Sequence, residues 1–232
     1  MKKVLACPTT KPEVVLFDMD GVLFDSMPVH AWAWMETASK FGLETTEREI
    51  YLSEGMTGQQ TIQGVYRRQH HKDPDPSLVD EIYRYKSQLF LSHNEEIPLI
   101  DGTLELMQCL CSAGVRMGVV TGSTIRNASH RIQKAYRSYI QDEYLITADI
   151  VTRGKPHPEP YLRGLELFGI GPDQAMVIEN APMGVQSAHA AGIFTIAVTT
   201  GPVPEYSLRD AGANLVLPNM DAVRAWWSSL YK

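Results

Sequence analysis

The sequence predicts an α/β fold in which a parallel sheet is interrupted, after its first strand, by an all-helical insert. Three observations predict it. A short apolar run, Glu13-Val14-Val15-Leu16-Phe17, stands near the start and ends in Asp18-Met19-Asp20-Gly21. Residues 26–95 carry helical patterning and no convincing strand. Beyond them, short apolar runs alternate with helical stretches, the rhythm of βαβ units.

Residues 13–17 read as a buried parallel strand, short and apolar. Residues 28–42 read as a helix: Pro28 suits a first turn, and His30, Trp34, Ala38 and Phe41 recur on one face. Helices are expected near 59–70 and 78–91, parted by the turn Asp73-Pro74-Asp75-Pro76-Ser77. Past Ile97-Pro98-Leu99-Ile100-Asp101-Gly102, a helix at 103–113 leads to a strand at 115–120. A helix at 124–136 leads to a weak strand near 149–151, and a helix at 158–168 to a strand at 175–178. A helix at 183–191, strands at 193–198 and 214–217, and an amphipathic helix at 221–230 complete the chain.

The 232 residues suffice for a full core plus one inserted subdomain. Hydrophobic residues at 44% and charged residues at 21% are ordinary for a globular protein. The net charge of −6 argues against a nucleic-acid partner, which calls for a basic surplus. Three cysteines cannot make a disulfide framework, and Cys109-Leu110-Cys111 lacks the two-residue spacing of a redox or zinc pair. They are expected to be structural thiols in a reducing compartment. The opening Met1-Lys2-Lys3-Val4-Leu5-Ala6-Cys7-Pro8 is too short in its apolar part for a secretion signal. No run approaches the ~18 apolar residues of a membrane span. A cytoplasmic protein without a membrane partner is expected.

The chemistry-bearing residues fall at strand ends, where open α/β sheets place their ligand crevice. Asp18 and Asp20 follow the first strand, and Thr121-Gly122-Ser123 the next. Gly154-Lys155-Pro156 follows the third after a short loop, and Glu179-Asn180 the fourth. Each alone has a bland reading as a turn, a helix cap or a solvated charge. Four in order suggest a site for a phosphoryl group. Carboxylates and an amide suit a hard cation, and a lysine adds fixed positive charge. Hydroxyls and backbone N–H groups suit phosphate oxygens. Asp18 could act as a covalent nucleophile and Asp20 as a general acid and base.

The run Val14-Val15-Leu16-Phe17-Asp18-Met19-Asp20-Gly21-Val22-Leu23-Phe24-Asp25-Ser26 resembles the first motif of the haloacid dehalogenase superfamily. Thr121-Gly122-Ser123 resembles its second motif and Gly154-Lys155-Pro156-His157-Pro158-Glu159-Pro160-Tyr161 its third. Val177-Ile178-Glu179-Asn180-Ala181-Pro182-Met183-Gly184-Val185, with Ala188, Ala191 and Gly192 downstream, resembles the fourth. The helical insert is similar to the small cap of the β-phosphoglucomutase-like branch. The resemblance implies a Rossmann-like core with a parallel sheet (residues 1–25 and 96–232) and an inserted all-helical cap domain (26–95). It implies Mg²⁺ as cofactor, held by Asp18, the carbonyl of Asp20, Asn180 directly and Glu179 through water. It makes Asp18 the nucleophile and Asp20 the acid/base. Thr121, with Gly122 and Ser123, would bind the phosphoryl group, and Lys155 would neutralise charge.

Two departures from the family pattern matter. The fourth motif usually reads Glu-Asp, and here it is Glu179-Asn180, which removes a negative charge from the metal site. In the mutases of the branch an arginine stands three residues after the cap-loop glycine; after Gly55 that position is Gly58. Glu54 instead precedes Gly55, a carboxylate that makes sense if it reaches the metal or a substrate hydroxyl. His30 and Lys86 are further substrate-facing candidates on the insert, and Arg126 a weaker one. The expected activity is hydrolysis of a small phosphorylated molecule, inorganic pyrophosphate or a small sugar phosphate, by a monomer; the alternative is a β-phosphoglucomutase-type phosphomutase.

Overall fold

The computed structural model describes residues 10–93 and 97–231. The opening residues, Cys7 among them, and the expected boundary at 95/96 lie outside the described residues. Six parallel strands form one sheet in the order β3-β2-β1-β4-β5-β6. They are β1 (Val14–Phe17), β2 (Arg116–Val120), β3 (Leu145–Ile146), β4 (Ala175–Glu179), β5 (Phe194–Val198) and β6 (Leu215–Leu217). β1 lies at the centre, with Leu16 paired to Gly118 of β2 and to Val177 of β4.

Because side chains alternate across a strand, each strand feeds two cores. Val15, Phe17, Val119 and Ile178 join one cluster with Leu106, Ile132 and Trp227. These last three lie on α5 (Thr103–Ser112), α6 (Ile125–Tyr136) and α10 (Met220–Leu230). Val14, Leu16, Val120 and Val177 join the other with Tyr161, Leu165 and Ala188. Those residues come from α7 (Glu159–Phe168) and α8 (Pro182–Ala190). Both faces of the central strands are therefore covered, which is why their sequences are apolar throughout rather than alternating.

Between β1 and β2 come four helices of the insert: α1 (Met27–Phe41), α2 (Glu47–Leu52), α3 (Gly58–His70) and α4 (Pro76–Leu91). They bury their own cluster, including Ala31, Trp34, Ala38, Ile50, Ile62 and Ile82. The predicted α1 stripe is buried at Trp34 and Ala38, while His30 is left half-buried toward the sheet. Cys109 and Cys111 lie on α5 as free thiols, one half-buried and one exposed. Among the described residues no helix is long and apolar enough to cross a membrane.

The expected strand near 149–151 does not form. Residues Ala148–Ile150 make a 3₁₀ turn, and the edge strand is the two-residue β3 just before it. Asp149 turns its carboxylate onto the backbone N–H of Ile125 at 2.5 Å and the Thr147 hydroxyl at 3.2 Å, so this segment caps α6 instead of extending the sheet. Two short helices were not anticipated, α2 and α9 (Glu205–Ala211). Each is too short to show a repeat of apolar residues. For α2 a legible signal existed, the Thr46–Glu49 capping box.

Tyr136 ties α6 to the loop that carries the first motif: its hydroxyl donates to the Leu23 carbonyl at 2.7 Å. Tyr136→Phe is expected to lower unfolding free energy by about 1 kcal/mol, read as a shifted denaturant midpoint at unchanged slope.

Candidate active site

Asp18 is the first residue past β1, and its N–H donates to the Ile178 carbonyl at 2.9 Å, so the sheet itself places it. The chain then turns tightly from Met19 to Phe24, with Leu23 and Phe24 N–H groups both donating to the Met19 carbonyl. Gly21 sits in that turn at φ +80°, and a Cβ there would lie 2.0 Å from Asn180 Nδ2 and 2.8 Å from Glu54 Oε1. No side chain can replace this hydrogen without pushing the insert and the fourth motif away.

Lys155 is 1% exposed and aims its ammonium at three acceptors. Asp18 Oδ1 lies at 2.5 Å, Glu179 Oε1 at 2.6 Å and the Val120 carbonyl at 3.0 Å. Glu179 is braced in turn: Tyr161 donates its hydroxyl to Oε1 at 2.9 Å. The N–H groups of Asn180 and Ala181 donate to Oε2 at 3.0 and 3.1 Å. Burial works against the Lys155 ammonium, but Asp18 and Glu179 outweigh it and raise its pKa above the usual value. Burial pushes Asp18 well up, with Glu179 and Asp20 adding and Lys155 opposing.

Asp20 has a different environment. Its Oδ1 accepts from Ser26 Oγ at 2.5 Å and Arg131 Nη2 at 3.1 Å, and His30 Nε2 lies at 3.3 Å. Burial favours its neutral form, yet Arg131, then His30 and Ser26, hold the carboxyl well below its usual range. His30 is itself lowered to about 4, by burial and by Lys86, whose Nζ lies 2.6 Å from His30 Nδ1. Lys86 is lowered to about 7, mainly by burial.

The insert closes on this group. A Cβ on Gly122 would meet the Met56 carbonyl oxygen at 2.5 Å, so the loop Gly55-Met56 rests directly on the second motif. Glu54, 6% exposed, accepts a hydrogen bond from Asn180 Nδ2 at 3.0 Å. Burial, then Asp18, push its carboxyl well up. Asn180 Oδ1 is buried with no hydrogen-bond partner among the described residues. Between insert and sheet lies a cavity of ≈ 70 Å³ lined by Asp18, Asp20, His30, Glu54, Lys86 and Ser123.

These residues fit a hard divalent cation by donor type. Asp18, the Asp20 carbonyl and the orphaned Asn180 oxygen are all oxygen donors. The raised Asp18 and Glu54 also mark a region short of positive charge. Among the described residues no three His, Cys, Asp or Glu side chains form a metal cage on their own. The fit therefore depends on the amide and carbonyl oxygens.

The model of the haloacid dehalogenase-like hydrolases matches residues 15–198. The chain belongs to that family. It is 31% identical over 210 residues to hexitol phosphatase A of Escherichia coli, covering 90% of this chain and 91% of that one. It is 28% identical to the phosphorylated carbohydrates phosphatase of Thermotoga maritima, covering 79% and 83% of the two chains. A solved Bacteroides vulgatus structure, provisionally described as a beta-phosphoglucomutase, superposes with a TM-score of 0.90 at 41% identity, covering 95% of this chain and 89% of that one.

In this haloacid dehalogenase-like hydrolase, the sequence-predicted residues Asp18, Asp20, Thr121, Gly122, Ser123, Glu54, His30 and Lys86 all line one cavity. Lys155, Glu179 and Asn180 pack behind it. Glu179, expected to reach the metal through water, has both oxygens engaged by Lys155, Tyr161 and the backbone, so the structure adds a bracing role. Arg126 is exposed, while its neighbour Asn127 lines the cavity. Sequence reasoning missed Arg131, Ser26 and Tyr161. Ser26 and Tyr161 close the first and third motif runs, which was the available signal; nothing local marks Arg131, and only the fold brings it across 111 residues to Asp20.

His30 supplies a pH test. Its folded value of about 4 lies below the ordinary 6.5, so between these the unfolded chain takes up a proton that the folded protein refuses. Stability is therefore expected to fall as pH drops from about 6.5 to about 4, by up to roughly 3 kcal/mol. Chemical denaturation across this window should show a flatter slope for His30→Gln.

Proposed function

We propose that this hydrolase is a Mg²⁺-dependent phosphatase that passes the phosphoryl group of a small substrate to Asp18 and then to water. One observation carries the reading. Two carboxylates two residues apart have separate partners: Lys155 Nζ lies 2.5 Å from Asp18, while Asp20 accepts from Arg131 and Ser26 with His30 beside it. Separate partners suit separate roles, Asp18 for attack on phosphorus and Asp20 for proton transfer.

An Asp18 oxygen attacks phosphorus in line with the leaving oxygen, which takes a proton from Asp20 as its bond to phosphorus breaks. Water then attacks the aspartyl-phosphate, Asp20 accepts the water's proton, and Asp18 is released with inorganic phosphate. Asp20, held low, suits the base step; the negative charge of an arriving phosphate raises it for the acid step. Thr121, Ser123 and the Gly122 backbone hold the transferred oxygens, while Lys155 offsets charge on Asp18. Asp18, the Asp20 carbonyl and Asn180 would hold Mg²⁺, with Glu179 behind them. Bound Mg²⁺ supplies the positive charge that lets a carboxylate approach an anionic phosphoryl group.

Residues 26–95 serve as a cap that opens for substrate and closes to exclude water, with 1–25 and 96–232 as the catalytic core. The cavity, ≈ 70 Å³ and partly open to solvent, suits a small molecule. Phosphorylated sugars or sugar alcohols are the substrates that the relatives support. Inorganic pyrophosphate is the second reading, favoured by Glu54: a buried carboxylate reaching Asn180 leaves little space for an organic group. Neither of the two phosphatases above is named for pyrophosphate.

Against the mutase reading stands Gly58. A Cβ there would lie 2.2 Å from Tyr83 Cε2, so the tyrosine ring fills the space of an arginine side chain at that position. A mutase needs a second phosphate grip to retain its bisphosphate; a phosphatase does not.

Phosphate release from hexose phosphates, hexitol phosphates, β-glucose 1-phosphate and pyrophosphate tests these readings together. Activity is expected to vanish with chelator and return with Mg²⁺. Asp18→Asn should lose about a thousandfold or more. Sugar 6-phosphate formed from the 1-phosphate without free phosphate would instead establish a mutase. If Glu54→Ala removes turnover of the preferred substrate, Glu54 belongs to the working site; if pyrophosphate leads the panel, the second reading replaces the first.

A further inference from the structure

Asp20 does not present its two oxygens equally. Oδ1 gathers Ser26 Oγ at 2.5 Å, Arg131 Nη2 at 3.1 Å and His30 Nε2 at 3.3 Å. Among the described residues Oδ2 meets only a long contact, Ser123 Oγ at 3.4 Å, and Ser123 lines the cavity. A carboxylate held through one oxygen turns the other toward the substrate space. Ser26 and His30 come from the N-terminal end of α1, and Arg131 approaches from α6 on the core.

Arg131 is 6% exposed and unusually well fixed. Its Nε donates to the Asn127 carbonyl at 3.3 Å, one turn back on the same helix. Its guanidinium lies 4.9 Å from the Phe24 ring centroid and 5.2 Å from that of Phe90. Phe90 also stacks on His30, with centroids 4.0 Å apart and planes 12° apart. One aromatic ring of the insert thus packs against both Arg131, which donates to Oδ1, and His30, whose Nε2 lies 3.3 Å from it. Arg131 Nη1 is buried with no hydrogen-bond partner among the described residues.

We infer that Arg131 is a positioning residue for the acid/base step: clamped between Phe24 and Phe90, it pins Asp20 through Oδ1 so that Oδ2 faces the reacting oxygen. The inference rests on Asp20 being the acid/base. Arginine suits the task because its planar fork is preorganised between aromatic faces, which a lysine's point charge is not.

The test is acid-quench measurement of phosphorylated enzyme during steady-state turnover of an aryl phosphate with Mg²⁺. Such a leaving group needs little protonation, so misplacing Asp20 slows chiefly the second step, in which Asp20 must take a proton from water. Arg131→Met should lower kcat about tenfold to a hundredfold, lower KM roughly in proportion so that kcat/KM changes little, and raise the phosphorylated fraction. Arg131→Lys should recover part of kcat and lower that fraction again. If Arg131→Met is recovered unfolded, Arg131→Gln serves the same comparison. Unchanged kcat, or a lower kcat without accumulation of phosphoenzyme, overturns the role of Arg131. The acid/base reading has its own control: if Asp20→Asn turns over normally, that reading fails whatever Arg131 does.

Discussion

The buried ammonium of Lys155 is the constraint on which the rest of the site depends. It has three N–H donors and meets three acceptors, one each from the ends of β1, β2 and β4. Without it, Asp18 and Glu179 would face each other at the end of adjacent strands with no cation between them. Uncompensated charge at that depth is strongly unfavourable. The lysine therefore does two things at once: it lets the sheet end in carboxylates and fixes where they point.

Order spreads outward from that contact. Glu179, fixed by Lys155 and Tyr161, accepts the N–H groups of Asn180 and Ala181 and so sets the start of α8. Close packing makes the arrangement rigid: a Cβ on Gly184 would come within 1.6 Å of Glu179 Oε1. Asn180, held at its backbone, turns its amide nitrogen to Glu54 and leaves its oxygen unpaired toward the proposed cation. The loop of the insert thus docks onto the same chain of contacts that orients Asp18, the proposed nucleophile. Asp20 stands apart from this network, with its own donors, which is how two carboxylates so near in sequence come to differ so far in charge preference.

Much of this was legible in the order of residues. Apolar strands followed by polar residues mark the edge of an α/β sheet where chemistry gathers, and Asp18, Thr121 and Glu179 each follow that rule; Lys155, expected after a strand at 149–151 that does not form, reaches the site from the loop beyond β3. The helical insert was legible because its apolar residues recur at helical spacing over more than two turns. Where the elements were too short for a period, the reading failed: α2, α9 and β3 have six, seven and two residues. At 149–151 a side chain capping a helix won over an apolar segment that looked like a strand.

The sequence by itself determined the sheet-and-insert architecture, which follows from periodicity, and the residues of the four motifs, which follow from their resemblance to the family pattern. Only the tertiary structure decided which partner each charge has. Arg131 reaching Asp20, Tyr161 reaching Glu179, Glu54 meeting Asn180 and Tyr83 filling the space beside Gly58 are contacts between residues far apart in the chain. No local pattern encodes them, since each depends on how helices seat against the sheet. The electrostatic character of a buried group is set by those neighbours, and so the proposed division of labour between Asp18 and Asp20 belongs to the fold.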